Sequence, residues 1–85
     1  MSSSARSKED LYRKVADTLV EVLAVPREQI KPEARYFEDL GATSLDMATL
    51  LMLLEEDLGL MLPEHEARGL RTVAETVEFI MRRVS

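Results

Sequence analysis

The chain has 85 residues, 46% hydrophobic and 32% charged, a composition typical of one globular domain and too apolar for a disordered chain. It has no cysteine, which excludes disulfides, thiol catalysis and thiolate metal sites, and its net charge of -5 argues against general nucleic-acid binding. Because no apolar run approaches the roughly 20 residues that span a bilayer and no signal-peptide core follows the start, we expect a cytoplasmic protein that does not bind a membrane. We also expect a monomer that binds no nucleic acid.

The chain opens with a short Ser-rich segment that leads into a first helix. Residues 1–6 show no periodicity and are interpreted as a flexible N-terminus, so the domain itself covers residues 7–85. Ser7 is followed three residues later by Asp10, as in many capped helix starts, and apolar residues then recur at helical spacing. The pattern predicts an amphipathic helix of about 17 residues that ends before Pro26.

A long connection, residues 26–43, follows the first helix. Pro26, Pro32 and Gly41 interrupt it, as is typical of a connection between helices. A loop of this length is usually functional or held by its own side chains. We expect four apolar residues to hold it on the core: Ile30, Ala34, Phe37 and Leu40.

The second helix has strong signals at both ends. Thr43 and Asp46 form a capping-box pattern, with Thr43 as the N-cap, and Gly59 suits a left-handed C-cap after Leu58. A helical projection at 100° per residue places one apolar stripe toward the core. Its members are Met47, Leu50, Leu51, Leu54 and Leu58.

Two weaker helical signals complete the chain. Residues 64–70 have room for two helical turns, but Gly69 destabilises such a helix by about 1 kcal/mol relative to Ala. Thr72 and Glu75 form another capping-box pattern that opens a last helix, whose apolar stripe is Val73, Val77, Ile80 and Val84. The sequence thus predicts an all-α fold: a four-helix bundle with three long helices, a short third helix and a long loop between helices 1 and 2.

Charge and surplus apolar residues coincide on the second helix. Residues 37–66 carry eight acids and no Lys or Arg, whereas the segments before and after are close to neutral. Such a run is either a solvated face or a docking surface for basic partners, and the complete lack of cations favours docking. Leu45, Ala48 and Met52 lie roughly opposite the core stripe, which indicates a strip for partner contact beside Glu56.

Ser44 lies in the first turn of that helix, where free backbone N–H groups favour a bound or attached phosphate. Serine is also common at helix starts for structural reasons, but Thr43 already supplies the cap. The single histidine, His65, lies in the weak segment after Pro63, so no Ser-His-Asp arrangement supports an enzyme.

Residues 37–46 read FEDLGATSLD and resemble the Asp-Leu-Gly-x-x-Ser-Leu-Asp signature of acyl carrier proteins; the similarity covers about residues 8–82. The resemblance implies that a phosphopantetheinyl transferase esterifies Ser44 with 4'-phosphopantetheine from coenzyme A. It implies a discrete, non-catalytic carrier of acyl thioesters for fatty-acid, polyketide or related biosynthesis. Its partners would be acyl-transfer, ketosynthase or acyl-activating enzymes with basic docking patches. The implied partner-binding residues are Asp39, Leu45, Asp46, Ala48, Met52, Glu55 and Glu56.

Two departures from the family pattern concern the second helix. Thr43 stands where the family usually has Asp, and Thr49 stands where fatty-acid carriers often have an acid, which favours a specialised pathway such as polyketide synthesis. Two alternatives stay open. One is an unmodified helical adaptor for basic partners; the other is an aminoacyl or peptidyl carrier, although residues 41–45 match the Gly-Gly-x-Ser pattern of such carriers less well. Acyl chains in the family can fold back between helices, and we expect Gly69 to make residues 64–70 the easiest element to move.

Overall fold

The structure is a computed structural model that describes residues 7–84 and has four α-helices in that range. They are α1 (Lys8–Leu23), α2 (Ser44–Leu58), α3 (Glu64–Ala67) and α4 (Val73–Val84). The predicted all-α bundle, with three long helices, a short third helix and a long first loop, is confirmed. The predicted flexible segment 1–6 lies outside the described residues. Of the helices in residues 7–84, none is long and apolar enough to cross a membrane.

The helix ends follow the capping signals in the sequence. The Ser7 hydroxyl accepts the Asp10 N–H at the start of α1, and Gly59 closes α2 in the left-handed conformation with φ 67°. At α4, the Thr72 hydroxyl accepts the Glu75 N–H as predicted. The Glu75 carboxylate, however, accepts from the N–H of Arg71 rather than from that of Thr72, so this capping box is shifted by one residue.

The core lies between α1, α2 and α4. Its largest fully buried aliphatic side chains are Leu11, Val15, Leu19, Leu50, Leu54, Val73, Val77 and Ile80. In the predicted stripe of α2, Leu50, Leu54 and Leu58 are buried, whereas Met47 and Leu51 are only half-buried at the margin of the core. This side of α2 is therefore incompletely covered near its beginning.

The long first loop is bonded to the start of α4. The first N–H groups of a helix lack acceptors within the helix. Here the N–H of Val73 donates to the Ala34 carbonyl (3.2 Å) and the N–H of Ala74 to the Pro32 carbonyl (2.8 Å). The Tyr36 N–H donates in turn to the Arg71 carbonyl (3.0 Å), which makes a short antiparallel bridge. Loop carbonyls thus accept the first N–H groups of α4, and a residue just before α4 in turn accepts an N–H group of the loop.

One predicted contact of this loop is wrong. Ile30, Ala34 and Leu40 are buried as expected, but Phe37 is 50% exposed, and its neighbour Tyr36 is fully buried instead. Tyr36 can be buried because its hydroxyl has a partner, the hydroxyl of Thr76 on α4. This contact joins residues that are far apart in sequence.

The third helix is shorter than the two turns predicted for residues 64–70. It comprises the single turn Glu64–Ala67, and Pro63 at its N-cap offers no side-chain hydrogen bond. The Leu70 N–H donates to the Ala67 carbonyl (3.0 Å), three residues back, so the chain leaves the α-helical pattern at Arg68 and Gly69.

Candidate functional site

Ser44 is the first residue of α2 and its side chain is exposed. The predicted capping box before it is present: the Thr43 hydroxyl accepts the Asp46 N–H (3.2 Å), and the Asp46 carboxylate accepts the Thr43 N–H (3.0 Å). Because Thr43 performs the capping, the Ser44 hydroxyl makes no hydrogen bond with the described residues 7–84. It is therefore free to be modified.

The backbone around Ser44 favours negative charge. The N–H groups of Ser44 and Leu45 donate to no acceptor within the described part of the chain, whereas the Met47 N–H already bonds to the Thr43 carbonyl (3.1 Å). Unpaired N–H groups at the positive end of a helix dipole stabilise an anion. A phosphate esterified to Ser44 would lie next to this end, so these residues fit a phosphate-linked group.

A cleft of about 420 Å³ opens beside Ser44, between α2 and α3. Its volume lies in the range of about 300–1,000 Å³ that is typical of small-molecule sites. Its apolar walls are Phe37, Met47, Ala48, Leu51, Ala67 and Leu70. Its polar members are Ser44, Glu64 and Arg68.

The sequence reasoning missed this cleft, together with Phe37 and Arg68 as its lining residues. The position of α3 against α2 could not be read from the sequence. One signal was available, because Met47 and Leu51 are apolar residues that flank Ser44 on the inner side of α2. The cleft accounts for their half-buried state and for the exposure of Phe37.

The predicted outer strip of α2 is on the surface. Leu45 is 75% exposed and Met52 is 53% exposed, and both Ala48 and Glu56 are exposed as well. Ala48 also borders the cleft, so the strip and the cleft meet at this residue. Scattered apolar exposure is common, but these side chains follow one another along a single helix face next to Ser44.

Three of the acids expected to bind partners make internal contacts. The Asp39 carboxylate accepts the Arg35 N–H (2.8 Å) and pairs with the Arg35 guanidinium, with Nε and Oδ2 3.3 Å apart. These hydrogen bonds lower the pKa of Asp39, and the pKa of Arg35 is raised by the same pair. Glu55 is half-buried, and its carboxylate accepts the Leu62 N–H (2.8 Å). Asp46 is used by the capping box, as described above.

The site is thus an exposed serine, free of hydrogen bonds to the described residues, at the start of a helix beside an apolar cleft. The family described as "Phosphopantetheine attachment site" matches residues 13–80. The chain is 41% identical over 71 residues to the acyl carrier protein of Helicobacter hepaticus, covering 84% of this chain and 93% of that protein. It is 38% identical over 79 residues to the acyl carrier protein of Thermosynechococcus vestitus, covering 93% and 98%.

A third relative, the acyl carrier protein of Chlorobium phaeobacteroides, is 36% identical over 73 residues, which cover 86% of this chain and 94% of that protein. The chain belongs to the acyl carrier protein family. The predictions of a non-catalytic carrier and of a 4'-phosphopantetheine prosthetic group are thereby confirmed.

Proposed function

We propose that Ser44 is the residue to which 4'-phosphopantetheine is attached, by a phosphopantetheinyl transferase that uses coenzyme A. The observation that carries this proposal is the exposed Ser44 hydroxyl at the first position of α2, free of hydrogen bonds to described residues. The thiol of the arm supplies the thioester chemistry that a chain without cysteine lacks. The acyl groups so held serve fatty-acid, polyketide or related biosynthesis.

The residues around Ser44 have distinct parts in this role. The N–H groups of Ser44 and Leu45 stabilise the negative charge of the phosphodiester, because they have no other acceptor among the described residues. Thr43 and Asp46 keep the first turn of α2 in place through their two reciprocal hydrogen bonds. The apolar walls of the cleft offer a surface on which the hydrocarbon part of an acyl group is shielded from water.

Intact-mass spectrometry tests the attachment. Protein incubated with coenzyme A and a broad-specificity phosphopantetheinyl transferase should gain the mass of one arm, and Ser44→Ala should gain nothing. Ser7→Ala is the matched control, because Ser7 is also an exposed serine at a helix start. No gain with several transferases, or a gain that Ser44→Ala retains, would refute the proposal.

The partner surface is proposed to be the exposed strip of Leu45, Ala48 and Met52 together with the acids around it, which would meet basic patches on partner enzymes. Within residues 7–84, the exposed carboxylates of Glu56 and Asp57 make no ion pair or hydrogen bond, so their charge is available to a partner. Asp39 and Glu55 would contribute mainly by supporting the local structure, because their carboxylates are already bonded.

The docking surface is tested by the rate of arm transfer. Glu56→Gln should slow the second-order rate with a transferase at low salt, and the difference should shrink at 1 M salt, where the Debye length is about 3 Å. Glu21→Gln on α1 is the control, since Glu21 is exposed and lies outside the acidic segment. Equal rates for both variants, or slowing that salt does not reduce, would contradict electrostatic docking.

We further propose that the protein acts as a monomer in the cytoplasm, where it meets the biosynthetic enzymes that load and unload it. Light scattering should give a mass near 9.6 kDa for both the unmodified and the loaded protein.

An unmodified adaptor is the competing function, and the same exposed strip on α2 would serve it. Protein purified from its own host without an arm, with partner binding unaffected by Ser44→Ala, would favour the adaptor.

A further inference from the structure

Two charged residues of the cleft, Glu64 and Arg68, make no ion pair with each other. They lie four residues apart, a spacing at which opposite charges on a helix often pair. No salt bridge within 4.0 Å joins them or links either one to another described residue, although Arg27, Arg35 and Arg83 each pair with a carboxylate. Glu64 and Arg68, both exposed to solvent, thus line the cleft without an ion pair to any described residue.

The charge of Arg68 contrasts with its neighbours in the cleft. Arg68 is exposed to solvent and lines the same cleft as Met47, Leu51 and Leu70, which offer it at most the weak thioether acceptor of Met47. A saturated chain packed against the guanidinium would displace part of its water without replacing those hydrogen bonds, which is unfavourable. A chain with an oxygen acceptor would replace them with charge-assisted hydrogen bonds.

We infer that Arg68 is a specificity-determining residue that selects acyl chains bearing keto oxygens over saturated chains of the same length. This inference rests on the proposed attachment of the arm to Ser44. A keto oxygen fits better than a second carboxylate, because Glu64 on the same wall would repel an anion. The phosphate of the arm is a weaker candidate partner, because the N–H groups of Ser44 and Leu45, which have no acceptor among the described residues, would stabilise it instead.

The experiment compares three eight-carbon cargoes on the same arm: octanoyl, 3-oxooctanoyl and 5-oxooctanoyl. Each is loaded from its coenzyme A derivative onto the wild type, Arg68→Gln, Arg68→Lys and Arg13→Gln, and loading is verified by intact mass. Arg13 is the matched control, because it is an exposed arginine on α1 that does not line the cleft. Thermal midpoints are measured for each loaded protein and for the arm without cargo.

In the wild type and Arg13→Gln, we expect at least one oxo cargo to raise the thermal midpoint above that of the octanoyl protein by about 4–8 °C, the scale of one such contact in a domain of this size. Arg68→Gln should lose this difference, and Arg68→Lys should keep part of it. The NMR signal of the Arg68 Nε–H should shift on loading an oxo chain and remain in place with octanoyl.

Three results would overturn the inference. The first is equal midpoints for octanoyl and both oxo cargoes in the wild type. The second is an oxo-dependent difference that persists in Arg68→Gln. The third is an equal effect of Arg68→Gln on protein that carries the arm alone, which would assign Arg68 to the phosphate. Absence of loading would instead refute the attachment at Ser44 and, with it, this inference, and the mass measurement reveals that case before any melting.

Discussion

The Thr43→Ala substitution tests whether the start of α2 depends on the capping box. The Thr43 hydroxyl accepts the Asp46 N–H at 3.2 Å, and the Thr43 backbone N–H donates to the Asp46 carboxylate at 3.0 Å. Alanine removes only the first of these bonds. Loss of a Thr cap costs about 0.5–2 kcal/mol, and we expect about 1 kcal/mol here, because Thr43 is exposed and water can partly replace its hydroxyl. For a domain of this size, the thermal midpoint should fall by about 4–8 °C.

Urea and thermal denaturation followed by circular dichroism provide the assay, with Thr49→Ala as the control. Thr49 lies in the same helix, and its hydroxyl donates to the Leu45 carbonyl (3.0 Å), a bond that does not cap the helix. Alanine is the better helix former, so Thr49→Ala should be neutral or slightly stabilising. Thr43→Ser should retain the cap. The reasoning is refuted if Thr43→Ala loses no more stability than Thr49→Ala.

Three further predictions concern other parts of the chain. Burial raises the pKa of the Tyr36 phenol, so the contribution of Tyr36 to the free energy of unfolding is constant below pH about 10 and declines above it. In urea denaturation at several pH values, Tyr36→Phe should flatten this decline. An unchanged pH profile in the variant would contradict the prediction. The hydrogen bonds from Arg35 lower the pKa of Asp39, and in an NMR titration Arg35→Gln should move this pKa back toward its ordinary value. An unchanged pKa in the variant would contradict the pairing. Amide exchange should be faster in Glu64–Ala67 than in residues 47–58, and equal protection would rule out an easily moved α3.

The helix ends could be predicted from the sequence because their causes are local. A hydroxyl at Ser7 or Thr43 reaches an N–H three residues ahead, and Gly59 tolerates the left-handed conformation whatever surrounds it. Ser44 could be predicted for the same reason, since its place in the first turn of α2 follows from the cap at Thr43. These features depend only on residues within four positions along the chain, so the local sequence is enough to predict them.

The contacts that the sequence did not predict join distant segments. Tyr36 and Phe37 are adjacent aromatic residues, and Tyr36 is the buried one, with its hydroxyl bonded to that of Thr76, 40 residues away. The cleft likewise depends on the approach of Arg68 and Leu70 to the start of α2. A hydrophobic pattern shows which residues are apolar, but it does not show which of two neighbours finds a partner for its polar end.

The surroundings of Ser44, the proposed attachment site, are firmly held on one side and weakly held on the other. On the firm side, the Ala42 N–H donates to the Tyr36 carbonyl (2.9 Å), and Tyr36 is itself bonded to α4, so the approach to Ser44 is fixed to the core. On the weak side, α3 is a single turn without a side-chain cap and forms the other wall of the cleft. The proposed function needs both properties: partner enzymes would have to find Ser44 in one place, while a cargo would have to enter and leave the cleft. Movement of α3 can open the cleft without disturbing the hydrogen bonds that hold the start of α2.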